Sequence, residues 1–369
     1  MTVRASSRVV AALLIAATAL VAPAAAGAAK RHAAPAGSGA QCSSAKPCTL
    51  TQAVGAAVAG DEVVVRPGVY TLGATLDDPA KITIHGVAGK PRPRFQAAFD
   101  GQLVRLDAGS TLRYVEIDDD LGTALFSSGS RADQLIIRGA GTNGDLAQIQ
   151  TKSVISNSIV VSSADGAGNL TTVTNAGDNT STYRNVTSVA NGTGGVAVHA
   201  EAFGSPQDPG HARIDAINVI ARAPLGQAMQ ATTGGGGQTS AAIVATTSNY
   251  SNRSTSGAHA SVTAPGSGSN QTLTPTFADA AAGDYHEAPA SPTIDAGNTA
   301  LANGTRDVDG DLRTVDAGTD IGADERISAP AVVTGTAAGR KTHSAIVAGT
   351  ILSAAAVTTY HFDYGTSAA

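Results

Sequence analysis

The chain has 369 residues, of which 42% are hydrophobic, 14% charged and 4% aromatic, with no Trp and a formal net charge of −5. That apolar content suffices for a large core and excludes a disordered polar tract, and the lack of a basic block argues against nucleic acid as a partner. Small and β-branched residues dominate over aromatics, which suits stacked strands better than a core of packed helices.

The first predicted element is a secretory signal over residues 1–28. Arg4 and Arg8 charge its start, Val9–Ala22 form an apolar run, and Ala24-Ala25-Ala26 or Ala26-Gly27-Ala28 offer small-residue cleavage sites. The run has 14 residues, short of the ~20 that a membrane span requires. The expectation is a secreted, extracellular or surface-attached monomer with no span after signal removal. Cys42 and Cys48 then flank a Pro-containing loop. In an oxidising compartment such a close pair is expected to form a disulfide, and no His, Cys or Asp lies between them to favour a metal.

Thr49–Val58 carries apolar residues at helical spacing, followed by a Gly60-Asp61 turn and the β-branched run Glu62–Val65. This order resembles the capped end of pectate-lyase-like right-handed β-helices, where a short helix covers the open apolar cylinder and its exposed strand edges. From Lys81 to about Asn252 one theme repeats, a short apolar run followed by a Gly, Asn, Asp or Ser break. Aligning the runs places Tyr114, Gln134, Asn157, Asn185, Asn218 and Asn249 at equivalent positions, at intervals of 20, 23, 28, 33 and 31 residues. These intervals are those of a solenoid. The fold class expected is therefore all-β: a right-handed parallel β-helix with an N-terminal cap over residues 29–289. The recurring Asn has two readings, a side-chain amide ladder between rungs or a simple marker of left-handed turns.

One insertion, Val198–Arg213, collects His199, Glu201, Asp208, His211 and Arg213. A lyase acting on uronate polymers needs a base and a cation to neutralise the carboxylate, parts that His199 or His211 with Arg213 could play. The bland alternative is a solvated polar loop. The N-T-D, G-H-G and R-I-K motifs of the β-helix polygalacturonases are missing, and the Asp77-Asp78 and Asp118-Asp119-Asp120 runs alone are weak signals.

Residues 290–326 are the most distinctive stretch. Ser291-Pro292-Thr293-Ile294-Asp295-Ala296-Gly297, Asp307-Val308-Asp309-Gly310-Asp311-Leu312-Arg313 and Asp320-Ile321-Gly322-Ala323-Asp324-Glu325 follow in order. They resemble the closing segment of secreted bacterial choice-of-anchor Q proteins, a resemblance that implies a β-helix and export but no single chemistry. Asp307, Asp309 and Asp311 alternate, as a calcium site on extended backbone would require. The helix-loop-helix calcium loop is excluded, because Leu312 and Gly318 stand where it needs Gly and Glu. The competing reading is Asp-Gly turns capped by their own side chains, with an Arg paired to a carboxylate.

Residues 327–369 change texture, and their runs resemble the first strands of a fibronectin-III or immunoglobulin-like sandwich. Such a module takes about 100 residues, so a truncated one is expected. The functional expectation is a non-catalytic surface protein that binds polysaccharide or other cell-envelope partners and needs no cofactor beyond the calcium candidate. The alternatives are a polysaccharide lyase or glycosidase, and a structural spacer.

Overall fold

The computed structural model describes residues 28–78, 81–140, 145–163, 165, 168–300, 304–315, 317–327, 331–352 and 361. The expected signal peptide, but for residue 28, and the expected strand Thr359–Gly365, apart from His361, lie outside the described residues.

Two sheets, of 14 and 8 strands, make up the body. Their strands pair in parallel with the strand one turn of the coil away, as Thr111–Arg113 does with Arg131–Asp133 and Thr123–Ser128 with Ala147–Gln150. One rung runs along Thr111–Arg113, turns into Glu116–Asp118, and crosses to Thr123–Ser128 in the smaller sheet. The chain is thus a parallel β-helix. Alternation sends every second side chain inward, so like positions stack: Val63, Ile84, Leu112, Ala132, Ile155, Tyr183, Ala216 and Ala245 form one buried column in consecutive register.

The corner between the two arms of the larger sheet needs a left-handed residue. Tyr114, Gln134, Asn157, Asn185 and Asn218 supply it, with φ between 47° and 55°, a region in which Asn is tolerated better than most residues. The next corner is Thr247, which follows the Ile217 to Thr246 pairing and has φ of 47°. Asn249 therefore does not belong to the series. It lies two residues further on, and its amide donates to the Leu273 carbonyl at 2.8 Å. The ladder exists over the other three Asn residues: the Asn185 amide donates to Asn157 Oδ1 and the Asn218 amide to Asn185 Oδ1, each at 2.9 Å.

The first rung is covered as expected. A helix at Leu50–Gly55 has a capping box from Thr49 and Gln52 and buries Leu50, Ala53 and Val54. Beside it Cys42 and Cys48 form a disulfide, both sulfurs buried.

The acidic segment is a strap along a flank. Its short antiparallel pair, Phe277–Asp279 with Asp284–Glu287, leads into a run of turns. Tyr285, Val308 and Ala323 pack on the outward-facing Ile136, Ile159 and Val189. Gly322 seats the strap: its N–H donates to Asn218 O at 3.0 Å, and its φ is 119°. A Cβ there would lie 2.7 Å from Ile220 Cδ1 and 2.9 Å from Thr187 Oγ1.

Beyond the strap, Ala331–Thr334 pairs antiparallel with Gly349–Leu352, and Ala338–Lys341 with Ser344–Ile346. These are two small ribbons with Val332, Val333, Ile346 and Val347 exposed, and no fibronectin-III or immunoglobulin-like sandwich is formed among the described residues. No helix of the described residues is long and apolar enough to cross a membrane.

Candidate functional site

The stretch read as a loop at 198–213 is mostly strand. Val196–Phe203 belongs to the smaller sheet and Gly210–Arg222 to the larger one, leaving only the turn at 204–209 between them. The alternation of small apolar residues (Val198, Ala200, Ala202, Ala212) into the core explains the difference. His199 and Glu201 consequently stand on one sheet, His211 and Arg213 on another, and Asp208 in the exposed turn.

His199 is 8% exposed, 3.0 Å from Thr232 Oγ1 and 3.5 Å from Glu201. Burial lowers its pKa to about 4 and raises that of Glu201, so the imidazole is neutral at physiological pH. His211 contacts Ser240 Oγ at 2.9 Å, and Arg213 pairs with Asp215 at 2.7 Å. No base and cation of this set are brought together on one strand face of one sheet except His211 and Arg213, and the latter already has its carboxylate.

The alternating aspartates are used in three different ways. Asp307 is buried, and its Oδ1 accepts from the N–H groups of Asp309, Gly310 and Asp311 at 3.0, 2.9 and 2.7 Å. Its Oδ2 accepts from Glu325 N at 3.1 Å. This is the Asp-Gly turn capped by its own side chain. Asp309 faces Arg92 at 3.3 Å and His286 Nε2 at 2.9 Å, whereas Asp311 is exposed. His286, Asp309 and Asp324 could offer ligand atoms within 4.8 Å of one another. However, His286 also contacts Asp284 through Nδ1. Asp309, foremost among the carboxylates around it, raises its pKa to about 9. At neutral pH the imidazolium is the cation of that group.

Deeper in the strap, Arg313 is fully buried and donates to the carbonyls of Ala323, Asp320 and Gly322. Glu325 lies 3.9 Å from its Nε. Burial raises the pKa of Glu287 to about 9, Glu325 to about 8 and Asp324 to about 6, since one guanidinium does not offset the desolvation of several carboxyls.

The larger opening lies where the strap meets the first arm of the larger sheet. Parallel register carries one outward row along the coil: His32, Val64, His85, Arg113, Asp133, Ser156, Arg184. Two residues earlier on the same strands runs a second row that includes Lys30, Glu62, Arg131 and Val154. The strap forms the opposite wall through Gly304, Thr305, Arg306 and Gly310. Two adjoining pockets result, of about 570 and 200 Å³, sharing Arg113, Gln134 and Arg306. In the wider one Glu62 is paired with Lys30 at 2.8 Å and with His85 at 2.7 Å. In the narrower one Arg113, Arg131, Arg184 and Arg306 line the wall together with Asp133, the one carboxylate among its described lining residues. A net positive cleft thus sits on a chain of net charge −5.

Corner residues hold the strap over it. Gln134 donates its amide to Asp307 O at 2.7 Å. Arg92 lies 4.1 Å over the Tyr114 ring and donates to the Gln134 and Val308 carbonyls. Sequence reasoning missed this cleft, because its arginines are spread from 113 to 306. A signal was present: the residues just before the first four aligned corners are Arg113, Asp133, Ser156 and Arg184.

No protein-family model matches the chain, and no curated protein matches it. Among solved structures, the crystal structure of pectate lyase Pel9A is similar at a TM-score of 0.39 and 14% identity, over 82% of this chain and 97% of that one.

Proposed function

We propose that the chain is an exported β-helix protein that binds glycan on one flank and does not turn it over. The observation that carries this reading is the cationic cleft beneath the strap, open along the coil and lined by four arginines. Guanidinium groups recognise carboxylates through paired hydrogen bonds, and long flanks of a solenoid suit polymers. The Cys42–Cys48 disulfide supports an oxidising, extracellular setting, in line with the signal read in the sequence. In this reading the coil is right-handed, as crossovers between parallel strands nearly always are. The strap is the choice-of-anchor Q element.

A lyase or glycosidase has less support, because His199 and Glu201 stand apart from His211 and Arg213. Incubation with acidic and neutral polysaccharides tests both readings. Retention on an acidic glycan without new unsaturated or reducing ends is expected. Turnover that disappears in His211→Ala or His199→Ala with the fold intact would replace binding by catalysis.

A further inference from the structure

We propose that His286, Asp309 and Asp324 hold a divalent transition-metal ion, zinc being the one their ligand set fits best, and that the ion clips three segments of the strap together. This inference does not rest on the glycan reading. The three side chains come from the strand Asp284–Glu287, the turn around Asp307 and the segment just ahead of Glu325. One ligand atom from each lies within 4.8 Å of the others.

Each side chain is anchored through one atom and leaves another open. His286 Nδ1 contacts Asp284 Oδ1, which also accepts the His286 N–H at 3.1 Å. An imidazole that ligates a metal through one nitrogen almost always gives the N–H of the other to such a partner, which fixes its tautomer and orientation. The far nitrogen, Nε2, is buried and has no hydrogen bond; it stands 2.9 Å from Asp309 Oδ2 as an ionic contact out of line. Asp309 is oriented from its other side by Arg92, 3.3 Å from Oδ1. Asp324 is only 8% exposed, and among the described residues its one hydrogen bond is from Glu287 N to Oδ2 at 2.7 Å, so Oδ1 has none. A buried carboxylate oxygen without a donor is costly, and a cation is a partner that satisfies it.

Ligand atoms about 2.1 Å from a metal stand roughly 3.0–3.4 Å apart, close to the separation of Nε2 and Oδ2. One imidazole with two carboxylates suits zinc, with water in the remaining position, whereas calcium takes six to eight oxygens and no imidazole. Three carboxylates, of Asp284, Asp309 and Asp324, surround the imidazole, and a divalent ion offsets more of that charge than a proton does. Without metal the imidazolium proton is the cation of the group. On binding, the ion takes Nε2 and that proton passes to solvent. The side chains of His286 and Asp309 are 34% and 43% exposed, so an ion reaches them from solvent.

The test titrates the metal-free full chain, without an affinity tag, with zinc chloride and separately with calcium chloride in a calorimeter. A single equivalent of zinc is expected to bind, to bind more tightly than calcium, and to raise the melting temperature. His286→Gln and Asp324→Asn abolish that binding. Asp284→Asn, which leaves all three ligands in place, weakens it by about 10- to 100-fold. His343→Gln, in the exposed ribbon, leaves it unchanged. Circular dichroism verifies that each variant folds. Should a ligand variant unfold, the imidazole nitrogen shifts of the wild-type chain decide: zinc moves His286 Nε2 while Nδ1 keeps its proton. An unmoved Nε2, no zinc binding by the folded wild type, tighter binding of calcium, or undiminished zinc binding in folded His286→Gln each overturns the inference.

Discussion

Asp307 shows how a residue that reads as a metal ligand is fully employed by its own backbone. Four N–H groups of the strap converge on one buried carboxylate. Asp307→Ala leaves those donors without a partner, at a cost of about 1–3 kcal/mol. Chemical denaturation is expected to show that loss, and a calcium chelator is expected to leave the wild-type midpoint nearly unchanged. Gly322 is the other residue on which the strap depends. Its positive φ and the closeness of Ile220 and Thr187 predict that Gly322→Ala destabilises by about 1–3 kcal/mol. Hydrogen exchange at the amide of Tyr285, through which the strap packs on the coil, would report whether that element alone loosens.

At the scale of elements, the strap concentrates carboxyls that are easier to bury with a proton. Glu287, Glu325 and Asp324 have folded pKa values of about 9, 8 and 6, and His286 of about 9. All four are raised by folding, so each binds more protons folded than unfolded. Their stabilisation is complete below the unfolded carboxylate range and is lost as pH rises towards 9. The melting temperature is therefore expected to fall steadily between pH 5 and pH 9 on these values. Glu287→Gln should flatten the fall, and an unchanged slope would reject this assignment. The corners follow a different logic, because a buried amide ladder leaves little freedom of substitution. Asn185→Leu removes the amide that joins Asn157 to Asn218 and puts a bulkier side chain at φ of 50°. The expected cost is about 2–3 kcal/mol.

These elements were legible in the sequence to different depths. Corners could be found because the left-handed backbone restricts residue choice, and even Tyr114 and Gln134 fell into the Asn series. Asn249 did not belong, since a two-residue offset leaves the run pattern unchanged and only pairing with the neighbouring strand reveals it. The 198–213 stretch misled because its outward residues are polar while its inward ones are alanines, a weak hydrophobic signal for a strand. The cleft was hidden for a topological reason. Register, which sequence separation does not disclose, brings Arg113 beside Asp133 and seats Arg306 across from them.

For the molecule as a whole, the stacked core and the small C-terminal ribbons differ in how much apolar surface they cover. Arg340 and Lys341 lie in an exposed ribbon whose Val332, Val333, Ile346 and Val347 are also exposed. Trypsin is expected to cut at these two positions before any site in the solenoid, as local opening there costs least. Mass analysis of the first fragments checks this. The ordered row of outward side chains has a further consequence. On the proposed glycan-binding reading, each contact between this row and a bound chain would belong to one coil, and coils differ by one strand spacing whatever the length of the loops between them. The flank is in effect a graduated rule. Duplicating or deleting one coil within it would change how long a segment is measured, while the chemistry at each mark stayed the same.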